Sequence, residues 1–281
     1  MSSSKLPISF EFFPPNTPVG DDKLIQQVVP ELAQLGPEYF SVTYGAGGST
    51  REKTLKTVQA IAAAGHEAAP HLSCVGSTRE GVAEILATYR ANPHIRRIVA
   101  LRGDLPSGTA VAGAFRHASE LVRFIRETQG GDWHIEVAAY PEYHPAQRYA
   151  ARDLQHFVDK VNAGASGAIT QFFYNADAYF HFVEATRKLG ATVPVVAGIM
   201  PFHNYARIAQ FAQRDGIEIP RWVALKMEGF MDDAASIRAF GLDVVTALCE
   251  KLIAGGVPGL HFYTLNQSAL VAELCRRLRL G

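Results

Sequence analysis

Ile8-Ser9-Phe10-Glu11-Phe12-Phe13-Pro14-Pro15 reads as a first β-strand: a short, aromatic-rich apolar run stopped by two prolines that cannot continue a ladder. Glu11 stands between two phenylalanines. With a side-chain period of two, Ser9, Glu11 and Phe13 share one face and Phe10 and Phe12 the other. A carboxylate is seldom buried unless it is paired or used. Desolvation by aromatic neighbours raises a carboxyl pKa and makes it a proton donor near neutral pH. The alternative is a strand-end glutamate held in an ion pair with a lysine or arginine.

From this strand outward the chain alternates. Helical spacing over Asp21 to Leu35 (Leu24, Val28, Leu32, Leu35) stops at Gly36-Pro37, a helix-end signal. A second strand, Tyr39 to Tyr44, leads into Gly45-Ala46-Gly47-Gly48-Ser49-Thr50, where Ser49 and Glu52 form a capping box for a helix to Ala64. Further strands are expected at Ala68 to Val75, Arg97 to Leu101, Ile135 to Tyr140, Ala168 to Tyr174, Val193 to Met200 and Leu260 to Leu265. Helices are expected at about Thr78 to Ala91, up to Gln129, Asp153 to Ala163, Ala176 to Leu189, Tyr205 to Arg214, Ala234 to Ala254 and Ser268 to Leu278. Units of about 30 residues that repeat strand then amphipathic helix argue a parallel sheet. Eight of them without a linker argue a closed (β/α)₈ barrel of the TIM type; an open doubly wound sheet is the alternative. The expectation is therefore one catalytic domain over residues 1–281, with residues 1–6 a flexible N-terminus.

The bulk properties narrow the class. The 281 residues carry 27 basic and 27 acidic side chains, and no run of like charge points to nucleic acid or an anionic membrane surface. Cys74, Cys249 and Cys275 form no CxxC pair and fit reduced thiols. No apolar run approaches the roughly 20 residues of a membrane span, and Met1 to Lys5 lacks a signal-peptide core. A soluble cytoplasmic protein is expected.

In (β/α)₈ barrels chemistry gathers at the C-terminal ends of the strands. Those ends carry Glu11, Thr43, Tyr44, His71, Ser73, Arg102, Asp104, Tyr140, Gln171 and Asn266, with His144 just beyond the fifth. Metal hydrolysis needs clustered ligands, but His71, His144, His203 and His261 come singly. A Schiff-base lyase needs a desolvated strand-end lysine, and only Lys226, in the stretched seventh unit, comes near. The glycine-rich loop lacks the third glycine of GxGxxG, although amides at a helix start still favour an anion.

The stretches SFEFFPPNT (9–17), SVTYGAGGSTREKT (41–54), APHLSCV (69–75), IVALRGDLP (98–106), AAYPEYHP (138–145), GAITQFFYN (167–175) and HFYTLNQS (261–268) follow one another in an order and spacing that resembles the methylenetetrahydrofolate reductase family, in its short bacterial form. The resemblance implies a (β/α)₈ barrel holding FAD. It implies reduction of 5,10-methylenetetrahydrofolate to 5-methyltetrahydrofolate, with hydride from NADH or NADPH by a ping-pong route, within one-carbon metabolism and methionine biosynthesis. It implies Glu11 as the general acid protonating N10 of the folate and Asp104 as a catalytic charge near flavin and pterin. Tyr44, Ala46, His71, Arg102, Gly103, Asp104, Ala118, Tyr140, His144, Asp153 and Lys160 would line the FAD, and Thr43, Gln171 and Phe211 would contact folate or nicotinamide. No metal is implied, and a homo-oligomer is.

The chain departs from the family pattern at Gln267, where an arginine is expected, at Arg207, where a glutamine is, and at His156 and Asp159, in place of an asparagine and an arginine. These bear on the folate-tail, nucleotide and FAD contacts. The rival classes are a metal- or Schiff-base-dependent barrel lyase or hydrolase and a non-catalytic barrel that binds folate or flavin.

Overall fold

The computed structural model describes residues 5–44, 48–103, 113–202 and 204–281. Eight strands close a parallel barrel in chain order: β1 Ile8–Phe12, β2 Tyr39–Val42, β3 Ala68–Ser73, β4 Arg97–Leu101, β5 His134–Ala139, β6 Gly167–Thr170, β7 Val195–Ile199 and β8 Leu260–Tyr263. The barrel closes by parallel pairing of β8 with β1, placing Ser9 opposite His261 and Glu11 opposite Tyr263. The expected (β/α)₈ barrel is the observed fold.

Both faces of these strands are covered, so alternation appears as apolar-outward and polar-inward rather than buried and exposed. Phe10, Phe12, Phe40 and Phe262 are fully buried, and Phe40 stacks on Phe10 and Phe12 at 5.9 and 5.5 Å between centroids. Each such ring contributes about 1.5–3 kcal/mol by leaving water. The opposite parity carries Ser9, Glu11, Ser41, His71, Glu136 and His261, all buried. A barrel interior is normally filled by branched apolar side chains. Here much of it is polar.

The first helical segment departs from the regular helix expected over Asp21 to Leu35. It runs as an α-helix Pro18–Lys23, a π-turn Leu24–Val28 and an α-helix Val29–Ala33, with Thr17 accepting from the Gly20 amide as N-cap. Pro30 explains the wide turn: it has no N–H and its ring crowds the carbonyl four residues back, so the preceding Val29 amide bonds Leu24 O instead. The capping box expected at Ser49 rests on a side chain outside the described ones; the helix there runs Gly48–Ala63. A helix at Arg221–Gly229, in the stretched seventh unit, was not expected; only Val223 and Met227 are buried there while Trp222 and Leu225 are exposed, which breaks the apolar period. The remaining helices, Arg79–Arg90, Ala118–Gln129, Ala150–Asn162, Ala176–Lys188, Tyr205–Asp215, Ala234–Ala254 and Ala269–Arg277, lie close to the expected spans. Among the described residues no helix is long and apolar enough to cross a membrane.

Candidate active site

Period-two alternation turns Glu11 into the barrel, where its carboxylate meets two imidazoles from other strands. Oε2 lies 3.2 Å from His71 Nε2 on β3 and 3.5 Å from His261 Nε2 on β8. The second imidazole is itself held, with Nδ1 2.7 Å from Ser9 Oγ. Glu11 is 8 % exposed.

This corrects the expectation of a raised carboxyl pKa. Burial does push Glu11 upward, but the His71 charge and the hydrogen bonds from His261 and His71 outweigh it, holding the group at about 2. The aromatic neighbours that suggested desolvation, Phe10 and Phe12, point to the other side of the strand and stack on the helix-facing layer. In the resting protein Glu11 is a carboxylate with two imidazoles aimed at one oxygen.

The strand end that carries Glu11 is pinned to β8. The Thr264 hydroxyl donates to Glu11 O at 2.6 Å. Asn266 imitates a strand edge: its Oδ1 accepts from the Phe13 amide (2.8 Å) and its Nδ2 donates to Phe13 O (2.9 Å). Leu265 and Asn266 both take left-handed backbone (φ 51° and 58°), and the Gln267 amide closes the turn on Thr264 O. Asparagine tolerates this conformation and leucine does so at a cost. Asn266, expected among the polar groups of the site, is thus spent on geometry. Across the mouth, Tyr263 Oη donates to Thr170 O (2.7 Å), its ring passing over Gly198. A Cβ at Gly198 would lie 2.1 Å from Thr170 O and 2.7 Å from the Tyr263 ring.

Beside this floor opens a cleft of about 940 Å³, near the top of the range of about 300–1,000 Å³ for small-molecule sites. Of the residues expected to hold FAD, Tyr44, Arg102, Gly103, Ala118, Tyr140, His144, Asp153 and Lys160 line it. Ala46 and Asp104 lie outside the described residues. His71 belongs instead to the buried floor against Glu11. Gly103 is required where it stands: φ is +84°, and a Cβ would fall 1.9 Å from Ser73 Oγ, the hydroxyl that donates to Arg102 O. Asp153 Oδ2 accepts from the His144 amide, and Tyr140 and His144 meet edge-on at 4.7 Å, so these residues brace one wall.

The chemistry of the cleft fits an anionic, partly aromatic ligand such as FAD. Lys160 is the strongest sign. Its ammonium donates to Ala138 O (2.5 Å), and burial pushes its pKa down to about 8, partly opposed by Asp153. A cation carrying such a desolvation cost is suited to a pyrophosphate, which restores its charge partner. Arg51 and Arg102 add positive charge to the same lining. The N-termini of helices Arg79–Arg90 and Ala118–Gln129 also border it, and helix amides favour anions there. His117 and His156 stack at 5.4 Å on the lining, a flat face for a ring system.

The three residues expected to contact folate or nicotinamide are placed differently. Thr43 and Gln171 follow β2 and β6 on the mouth face, their amides bonded to Phe12 O and Ala139 O. Phe211, on helix Tyr205–Asp215, has the Arg207 and Arg214 guanidiniums 5.5 and 5.2 Å from its ring centroid. None of the three lines the cleft. Lys226 is on the helix Arg221–Gly229, not at a strand end, with Nζ 5.6 Å from the Phe230 ring centroid. Among the described residues no group of three or more His, Cys, Asp or Glu is arranged to hold a metal ion. His203 lies outside them.

Ser9 and His261 were missed as site residues. The signal was present in the parity: Ser9 shares the face of Glu11, and His261 and Tyr263 alternate likewise on the last strand. Only barrel closure makes the two strands neighbours.

Residues 1–279 match the family model described as methylenetetrahydrofolate reductase. The 5,10-methylenetetrahydrofolate reductases of Salmonella typhimurium and Escherichia coli are each 38 % identical over 272 residues, covering 96 % of this chain and 90 % of theirs. A probable methylenetetrahydrofolate reductase (NADH) of Oryza sativa is 36 % identical over 272 residues, covering 92 % of this chain and 46 % of that protein. Among solved structures, an uncharacterized protein from Clostridium thermocellum that binds two copies of 5-methyl-5,6,7,8-tetrahydrofolic acid superposes with a TM-score of 0.69 at 16 % identity, over 98 % of this chain and 94 % of that one; this likeness concerns the fold.

Proposed function

This chain belongs to the methylenetetrahydrofolate reductase family, and from that premise we propose that it reduces 5,10-methylenetetrahydrofolate to 5-methyltetrahydrofolate, as an FAD enzyme taking electrons from NADH or NADPH in a ping-pong cycle. The observation that carries the reading is Glu11, a buried carboxylate with His71 and His261 aimed at one oxygen beside a cationic cleft of flavin size.

FAD bound in the cleft supplies hydride transfer from pyridine nucleotide to folate. The protein's part is to bind, orient and move a proton. Lys160 and Arg102, with the helix N-termini, would hold the pyrophosphate, and Tyr140 and the His117–His156 pair would offer flat surfaces to the rings. By its resemblance to the family, Asp104 would add charge near the flavin.

Conversion of the methylene bridge to a methyl group consumes one hydride and one proton, and the proton goes to N10 of the folate. Glu11 delivers it. Because the resting group is ionised, it must be charged from a neighbour during turnover, and the Nε2–H of His261 is the available donor. The folate lies over the mouth, with Thr43, Gln171 and Phe211 as its contacts. In this reading the barrel forms one catalytic domain that acts in the cytoplasm as a homo-oligomer.

The visible spectrum of the purified protein tests this. Flavin bands, present or restored by added FAD, should bleach anaerobically with NADH or NADPH and recover on adding methylenetetrahydrofolate. A protein that takes up no flavin would overturn the cofactor assignment, and a reduced flavin that folate fails to reoxidise would overturn the substrate.

A further inference from the structure

Below Glu11 the barrel does not revert to an apolar core. Ser9, whose hydroxyl holds His261, stands opposite Tyr39 on β2. The Tyr39 hydroxyl is fully buried beside Ser9, without a well-aligned hydrogen bond, and close enough to Glu136 for its charge to be felt. Glu136, 2 % exposed, has one oxygen paired to Arg97 (2.5 Å) and His134 (2.9 Å), while Oε2 has no partner. The Arg97 guanidinium covers the Tyr39 ring at 4.3 Å and reaches toward Glu38 at 3.7 Å. His134 is 41 % exposed at the start of β5, on the face of the barrel opposite the cleft. Polar groups therefore run the length of the barrel, from the catalytic carboxylate to solvent at the far end.

Two of those groups, Tyr39 Oη and Glu136 Oε2, are buried hydrogen-bonding atoms with unmet capacity. Such atoms in native proteins are normally satisfied by ordered water. Gly167 lets the Glu136 carboxylate lie against the β6 backbone, since a Cβ there would fall 2.5 Å from Oε2. A buried ion pair alone, sealing the barrel bottom, explains Arg97 and Glu136 but neither the free oxygen nor the tyrosine hydroxyl.

We propose that this column is a proton route that recharges Glu11 from the N-terminal face of the barrel, with Ser9, Tyr39, Glu136 and His134 as its relay. It rests on the functional reading above, in which each turnover takes up one proton at a site that flavin and folate cover from the other side. A proton taken from solvent at His134 passes to Glu136. Across an ordered water, Tyr39 accepts a proton on its oxygen as it gives its own to Ser9. Ser9 gives its own to His261 Nδ1, and His261 releases Nε2–H to Glu11 Oε2. Every relay group ends with the number of protons it began with and only Glu11 gains one, while His261 passes from its Nε2–H to its Nδ1–H tautomer and returns, with the hydroxyls reorienting, before the next turnover. Arg97, Glu38, His71 and Tyr263 are the other titratable groups facing the column. The role of Arg97 is to hold Glu136 in place, and it donates no proton.

Tyr39→Phe tests the route, because it keeps the ring beneath Arg97 and deletes the relay oxygen. His134→Gln, which deletes the solvent-side entry group far from the site, replaces it should Tyr39→Phe fail to fold. In single-turnover experiments the flavin-reducing step should match wild type. The folate-reducing step should slow about tenfold, at the low end of what proton transfer supplies, with a larger solvent deuterium isotope effect and unchanged folate KM. Wild-type folate rates and isotope effects in a folded variant would overturn the route and leave the column a structural one. The functional reading fails separately: it falls if Glu11→Gln still reduces folate, whereas an inactive Glu11→Gln beside wild-type relay variants removes only the route.

Discussion

Glu11 Oε2 lies 3.2 Å from His71 Nε2, and this contact, with the His261 bond, reverses the direction in which burial alone would move the carboxyl. His71→Asn should therefore raise the Glu11 pKa from about 2 toward or above its ordinary 4.5, because burial is then less opposed. A carboxyl depressed in the folded state stabilises it above the unfolded pKa and loses that contribution as pH falls through the folded value. The difference in stability between wild type and Glu11→Gln should accordingly shrink between about pH 4.5 and about pH 2. In the His71→Asn background it should be smaller and vanish at higher pH. Denaturant melts across that range check the sign.

Lys160 is the buried cation of the cleft. Lys160→Met should weaken FAD binding roughly 10- to 100-fold, the loss expected for one charge-assisted hydrogen bond of about 1.5–3 kcal/mol, read by flavin fluorescence. Its pKa, lowered to about 8 from 10.5, means that the folded apoprotein gives up the proton before the unfolded chain does. Apoprotein stability should thus rise across this window as pH increases, and FAD affinity should fall above about pH 8. Both slopes should be absent in Lys160→Met.

Gly198 leaves space for the Tyr263 ring that crosses the mouth. Gly198→Ala should cost about 1–3 kcal/mol by overpacking and should displace the tyrosine. Thermal melting gives the first number, and a folate KM raised more than the flavin affinity is changed gives the second.

Asn266 replaces backbone pairing at the end of β1 with two side-chain bonds to Phe13. Asn266→Ala removes both bonds, which are open to water, and places alanine in left-handed backbone, so a loss of about 1–2 kcal/mol is expected from the bonds and the backbone together. Folate reduction should drop with FAD binding retained, since the strand end carrying Glu11 is what loosens.

The barrel was legible because each unit is local. β4 falls at Arg97–Leu101 as its apolar run indicates, and Glu11 was marked out by parity alone. The ionisation of Glu11 was not legible, because its partners arrive from β3 and β8 and only closure of the ring brings them within 3.5 Å. The same holds for Tyr39 and Glu136, ordinary residues in sequence that acquire meaning when β2 and β5 face one another across the interior. The π-turn before Pro30 and the helix Arg221–Gly229 were missed for local reasons, a proline clash and a broken apolar period. Phe211, expected on a ligand, is flanked by Arg207 and Arg214, one of which is a departure from the family pattern and reaches the ring only through the helix turn.

The most direct measurement is rapid-mixing absorbance of FAD-loaded Glu11→Gln, followed through each half-reaction. If Glu11 is the acid, the flavin should bleach with pyridine nucleotide at close to the wild-type rate. Its reoxidation by methylenetetrahydrofolate should be slower by about 10²-fold or more, the usual contribution of a general acid. Reoxidation at the wild-type rate would contradict the assignment of the proton to Glu11 and, with it, the purpose given to His71 and His261.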